Sequence, residues 1–229
     1  MAACRRRGVL AGLFLVAAAS AGCDMKTMAY FLLPDAKDEA EVRRIASDDP
    51  RKEVKVAILT YGALEVRPEF IKADLQLSEL LAKQLRELCE ANDERVSIVQ
   101  PRKVEAFKNT HPNWHTLDPA EVGQHFGADY VIYIEINSLA FYQPGTYRQF
   151  YQGKANLTLS LVNVRKPNDI SSGPRELAFS YPSESRGGNV PVDSDTPPQV
   201  FRQKFLDYIG RQMAWQFTAH PTNQHHWAE

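Results

Sequence analysis

Four kinds of scarcity narrow the reading of this 229-residue chain. Cysteine is nearly absent, with three residues at positions 4, 23 and 89. If Cys4 and Cys23 belong to an N-terminal processing region, only Cys89 remains. One thiol cannot form an intramolecular disulfide, so the fold must be held by its core. A long apolar run is missing too. The longest, Gly8 to Gly22, has 15 residues, short of the roughly 20 that a membrane-spanning helix needs. Signatures of nucleotide or acyl chemistry are likewise absent: there is no Gly-x-x-x-x-Gly-Lys and no Gly-x-Ser-x-Gly, the patterns that cradle a phosphate or expose a serine nucleophile. Basic charge is not in excess, the formal net charge being −1. Nucleic-acid binding, which needs clustered Lys and Arg, is not expected.

What the N-terminus does contain is ordered. Arg5-Arg6-Arg7 precedes the apolar run, and small residues Ser20-Ala21-Gly22 lead into Cys23. A basic segment, a short apolar segment and a small-residue cleavage site describe an export leader over residues 1–22, not a fold element. Ser20-Ala21-Gly22-Cys23 resembles the lipobox of bacterial lipoproteins. That resemblance implies acylation of Cys23, cleavage before it, and a membrane held through the N-terminal lipid. Asp24 resembles the inner-membrane retention residue of enterobacterial lipoproteins, which leaves inner and outer membrane both open. Once Arg5, Arg6 and Arg7 are removed, 24 basic residues face 28 acidic ones, a net charge of −4. With no basic patch to help, stable anchoring then needs more than one acyl chain.

Residues 23–52 read as a lipidated N-terminus and tether, crowded with charges and without a sustained apolar stripe; Met28 to Pro34 is the exception, suited to the membrane surface or to docking. A single α/β domain is expected over 53–218, with a polar tail over 219–229. Val54–Thr60 reads as a buried strand, and Val96–Val99 as a second strand ended by Pro101. Leu77, Leu81, Leu85 and Leu88 mark a helix over 74–91, with Asp74 as its N-cap. Asp118-Pro119-Ala120-Glu121 opens a brief helix that Gly127 stops. Ala128–Ile136 is the strongest strand. Residues 154–162 alternate, with Ala155, Leu157, Leu159 and Leu161 on one face, which predicts an antiparallel strand with one solvated side. Residues 177–181 add a weaker strand, and Gly187-Gly188 is the expected turn of the loop that follows. Phe201, Phe205, Ile209, Met213 and Phe217 step by four along a closing helix over 198–218. The fold class is therefore α/β, a two- or three-layer mixed sheet with flanking helices in the order β-α-β-α-β-β-β-α.

That order, with Val56-Ala57-Ile58-Leu59, Val96 to Gln100, Phe126-Gly127-Ala128-Asp129-Tyr130 running into Val131–Ile136, and Leu161–Val164, is similar to one group of envelope domains. The group comprises the Tol-system propeller protein's N-terminal domain, the curli-secretion lipoprotein and the penicillin-binding-protein activator lipoproteins. His111-Pro112-Asn113-Trp114 with Glu121-Val122-Gly123 resembles uncharacterised bacterial lipoproteins of this size. The group implies a fold and no shared active site.

No catalytic residue and no cofactor is assigned. His111 and His115 lack a third metal ligand in sequence, and His220, His225 and His226 fall in the polar tail. Asp129 reads as a strand-start cap, Glu135 as an edge residue, and Cys89 as a small buried hydrophobe. The interaction candidate is the segment 141–151, with five aromatics around Pro144-Gly145. Tyr142, Tyr147, Arg148, Phe150 and Tyr151 are its candidate partner surface, since Tyr and Arg are enriched at binding hot spots. The expected role is a non-enzymatic envelope accessory lipoprotein that binds a protein partner in assembly, secretion or wall synthesis, or self-associates. The alternative is an auxiliary lipoprotein of a lipid or solute transporter that holds an apolar ligand.

Overall fold

A computed structural model describes residues 36–62, 70–166, 173–183 and 188–222. The leader, Cys23, the segment 24–35, Gly187 and the end of the tail, with His225 and His226, lie outside the described residues. The elements in chain order are β1 (Lys37–Asp38), β2 (Val54–Gly62), α1 (Ala73–Ala91), β3 (Val96–Ile98), α2 (Pro101–Thr110), a 3-10 turn (Trp114–Thr116), α3 (Pro119–Phe126), β4 (Tyr130–Tyr142), β5 (Phe150–Asn163), β6 (Arg175–Tyr181), β7 (Val190–Pro191), α4 (Pro198–Trp215) and β8 (His220–Pro221).

The main sheet runs β3-β2-β4-β5-β6, with β7 beside β5. β2 pairs parallel to β3 and to β4, while β4-β5-β6 are antiparallel. This is the mixed α/β architecture expected. On one face α1 and α4 pack their apolar stripes over Val56, Ile58, Ile132, Ile134, Leu157 and Leu159, and all five of Phe201, Phe205, Ile209, Met213 and Phe217 are buried there. The other face is covered by α2, the 3-10 turn and α3, over Ala57, Leu59 and Val131. That covering reaches β5 only at its C-terminal end, against Val162 and Val164. Beyond it Lys154 and Asn156 stand exposed on the open side of β5, as their alternation predicts. The molecule is three-layered over one half of its sheet and two-layered over the other.

Local signals explain the boundaries. Asp118 caps α3 by accepting from the Ala120 N–H at 2.8 Å, and Gly127 closes it in the left-handed region at φ 61. Asp129 holds a strand start, accepting from the Lys55 N–H at 3.0 Å and from Arg165 Nη2 at 3.0 Å.

Four expectations need correction. Asp74 is not the cap of α1: Lys72 is, in the left-handed region and without a side-chain bond. Pro101 does not merely end a strand; it opens α2, where a missing N–H costs nothing in the first turn. The element order therefore contains one more helix than expected.

The third correction is to the tether. From Lys37 the chain is part of the domain. The N–H groups of Val42 and Arg43 donate to Gln216 O, that of Ile45 donates to Phe217 O, and the Ile45 side chain is buried. Arg44 pairs with Glu94, which also accepts from Thr218 Oγ1 at 2.9 Å. The fourth is to the tail: β8 pairs with β1, and His220 is buried and stacked on Trp215 at 4.6 Å. Backbone pairing, rather than an apolar stripe, makes both docks, so hydrophobic periodicity does not register them.

Cys89 lies buried beneath that dock. Burial, reinforced by the charge of Glu94, pushes its thiol up to about 12. At neutral pH the folded protein should therefore resist iodoacetamide at Cys89 and react only after denaturation, read as a mass shift. The sign for stability follows. The unfolded chain loses this proton near its ordinary value of 9.0 and the folded chain holds it to about 12. The contribution is complete below pH 9 and is lost as pH rises through that window.

Candidate functional site

The ends of α4 mark two poles about 27 Å apart, at 1.5 Å for each of its 18 residues. Glu41 to Ile45 dock at its C-terminal end, where the chain joins the domain. At its N-terminal end, Pro198 and Arg202 approach the β4–β5 hairpin.

A bulge fixes how that hairpin displays its rings. On β4, Ile132, Ile134 and Ile136 face α1 and α4. The ladder then slips at Asn137, where Ile136 pairs with Leu157 but Ser138 with Asn156. One extra residue reverses the phase of a strand, so Leu139 and Phe141 become the buried set. Phe141 packs edge-on to Phe70, Tyr151 and Phe201, and Tyr151 stacks on Phe201 at 5.0 Å.

The candidate surface thus divides. Tyr151 is 1% exposed and belongs to the core, which corrects its assignment as a partner residue; burial also raises its phenol pKa. Phe150 is half-buried. Tyr142 is half-buried beneath Arg148, whose guanidinium carbon lies 5.2 Å from the ring centroid. Tyr147 is 95% exposed. Tyr147 and Arg148 are both at positive φ, 49 and 64, where a side chain with a Cβ is disfavoured. Two such residues in succession turn an aromatic ring and a guanidinium outward at the hairpin tip.

Beside the tip lies an open groove of about 560 Å³, floored by Phe141, Tyr142, Ile71 and Pro198 and flanked by Arg148 and Arg202. Arg202 is half-buried, its Nη2 donating to Ile71 O and Gln76 Oε1, and desolvation lowers its pKa. Arg202 and Ile71 were not legible as site residues. Arg202 sits between the core positions Phe201 and Phe205, and nothing in the spacing distinguishes it from any solvated helix residue.

The histidines are placed apart from this pole. His111 ends α2 with its ring stacked on Phe107 at 4.2 Å, and His115 stacks on Tyr61 at 5.1 Å. Among the described residues, no three His, Cys, Asp or Glu side chains converge on a metal-sized site. Glu135 is half-buried on β4. Among the same residues, no helix is long and apolar enough to cross a membrane.

No family model matches the chain, and no curated protein matches it. Solved structures show partial likeness. Lipoprotein GNA1162 from Neisseria meningitidis is 17% identical over 57% of this chain and 85% of its own, at a TM-score of 0.37. The PelC dodecamer protein from Paraburkholderia phytofirmans is 11% identical over 80% and 98%, at 0.42. A putative lipoprotein from Caulobacter crescentus is 12% identical over 69% and 81%, at 0.32.

Proposed function

We propose that this protein is a non-enzymatic envelope lipoprotein, held by lipid on Cys23 and facing the periplasm, which presents its hairpin pole to a protein partner. The kinship with the Tol-propeller, curli-secretion and activator-lipoprotein domains is part of the same reading. Its anchor rests on the order of basic segment, short apolar segment, small residues and cysteine.

One observation carries the partner role. Of the five large apolar residues exposed among the described residues, Leu117 ends the 3-10 turn, while Ile71, Tyr147, Val192 and Val200, between 37% and 95% exposed, lie on the groove or on segments joined to it. Ile71 lines the groove and Val200 follows two groove residues, Pro198 and Gln199. Val192 is tied to the hairpin by its N–H on Gln149 O. Clustered apolar exposure marks interaction surfaces, whereas single exposed residues are ordinary. This pole is also the one remote from Lys37. Thirteen residues separate Cys23 from Lys37, a reach of at most about 45 Å, so an anchored domain can hold its far end clear of the bilayer.

Two variants test the reading. Cys23→Ser should abolish acylation and move the protein from the membrane to the soluble fraction; a membrane-bound variant with its leader removed would refute the anchor. Replacing Tyr142 and Tyr147 together by Ser should cost no more than about 0.5 kcal/mol at the exposed Tyr147 and about 1–2 kcal/mol at Tyr142, which is half-buried against Phe141 and Tyr151. The same change should reduce recovery of the partner in crosslinked pull-downs from membranes. Unchanged recovery from a folded double variant would place the partner surface elsewhere.

A further inference from the structure

The main sheet has two edges, and they are unlike. β3 is three residues long, and α2 follows it at Pro101. β6, at the other edge, has seven residues in unbroken register with β5 from Arg175 to Tyr181. It contains no proline and no bulge, and its only charges are on its first two residues, Arg175 and Glu176. Proteins ordinarily guard such an edge with a short strand, a bulge, a proline or a covering segment.

Alternation along β5 identifies the groups on that edge. At the two ends of β5, Phe150 O and the Val164 N–H bond toward β4, to Gln143 and Asp129, while Gln149 O faces the other way, to Val192. Even-numbered residues of β5 thus turn their backbone groups to β4, and odd-numbered ones to β6. Through the register that sets Gly153 opposite Tyr181 and Leu159 opposite Arg175, the odd residues of β6 bond to β5. The N–H and C=O groups of Glu176, Ala178 and Ser180 therefore point outward. Among the described residues, none of these six groups has a hydrogen-bond partner.

We infer that two copies of this protein join β6 to β6, antiparallel, about a two-fold axis at Ala178, so that one sheet continues across the pair. The strand is complementary to itself in that register, which is what selects a second copy as the occupant. Ala178 pairs with the partner's Ala178 and Glu176 with the partner's Ser180, so all six outward groups of each strand are satisfied. Leu177 meets the partner's Phe179 on the α4 side, where both are half-buried against the core, and Arg175 meets the partner's Tyr181. No like charges stand opposite one another. Other registers lose this match. An axis at Glu176 sets two carboxylates face to face, and one at Ser180 brings Pro182, which has no N–H, against Ala178. With β6 lying along the bilayer, both tethers reach it, each spanning up to about 45 Å, and both hairpin poles stay free. The contact is therefore independent of the hairpin-pole reading.

The test uses the full chain in its own membrane. Cys89 is buried, and Ala178, exposed on the open face of the sheet, accepts a new thiol as Ala178→Cys. Hydrogen-bonded antiparallel partners lie about 5.5 Å apart at Cα, within the span of a disulfide. Mild oxidation should link most of Ala178→Cys into a species of twice the chain mass, which the unsubstituted protein does not give. Glu176→Cys is offset from its own copy by about 13 Å along the strands and should not link to itself. Ala178→Pro removes an outward N–H and leaves the bonds to β5 in place. In sedimentation, Cys23→Ser should therefore run as a dimer and Cys23→Ser with Ala178→Pro as a monomer, with thermal midpoints recorded for both. Equal self-linking at 176 and 178, no linking at 178, or sedimentation unchanged by Ala178→Pro in a folded protein overturns the proposal. Linking of Ala178→Cys to a protein of another mass overturns it in favour of a foreign strand on the same edge. If Ala178→Pro unfolds, the contrast between the two cysteine variants decides alone.

Discussion

Replacing Phe205 by alanine should destabilise the domain by about 3–5 kcal/mol, the range for removing a buried aromatic and leaving a cavity. Phe205 is fully buried on the sheet-facing side of α4. Its ring lies so close to β5 that a Cβ added at Gly153 would come within 2.5 Å of it. Glycine is what lets the helix approach the strand there, and the ring fills the space that results. Tyr181 stacks beyond it at 6.4 Å, so α4, β5 and β6 all lose contact when the ring is removed. Urea unfolding should show a lower midpoint at unchanged slope. A loss below about 1 kcal/mol would mean that α4 does not close the core. Gly153→Leu should also be strongly disruptive, because the fully buried ring would have to give way.

A comparable loss, about 3 kcal/mol, is expected of Lys108→Ala. Lys108 is buried on α2, and its Nζ donates to Thr60 O at 2.7 Å. Glu105 stands 3.3 Å away and Asp74 3.9 Å, while the ring of Trp114 lies 4.9 Å from the ammonium. One cation thus joins β2, α1, α2 and the 3-10 turn. Its removal strands the Thr60 carbonyl and leaves two carboxylates without their shared partner. Lys108→Met retains the aliphatic stem and should recover part of the packing but not the polar loss. Equal stability of Lys108→Met and the natural protein would show that the ammonium's contacts only offset its desolvation.

Lys108 also shows what the sequence could not disclose. Between Phe107 and Asn109 it reads as a solvated helix residue, and α2 carries too few apolar residues to announce itself. Its burial depends on the Trp114 ring and two carboxylates arriving from elsewhere in the fold. The stripe from Phe201 to Phe217 was legible because a helix repeats its core contacts every turn, and residues 154–162 because a half-solvated strand alternates. Segments 37–45 and 218–221 dock through backbone hydrogen bonds and scattered side chains, Ile45 and His220 among them, which leave no periodic signature. The hairpin was found by composition, yet its rings divide in a way composition does not encode. The bulge at Asn137 turned Phe141 inward, cross-strand packing took Tyr151 into the core, and left-handed backbone at Tyr147 and Arg148 sent those two outward. Of the five proposed partner residues, Tyr147 and Arg148 are exposed, Tyr142 and Phe150 are half-buried, and Tyr151 belongs to the core.

The most direct measurement places a photo-crosslinking amino acid at Tyr147 in the full lipidated protein, with Arg51 at the opposite pole as the matched exposed control. Irradiated in its own envelope, position 147 should give one discrete crosslinked protein species. That species should disappear when Arg148→Glu is introduced alongside, and position 51 should not give it. Equal products from the two positions, or none from position 147 while the protein remains folded and membrane-bound, would contradict a partner surface at the hairpin pole.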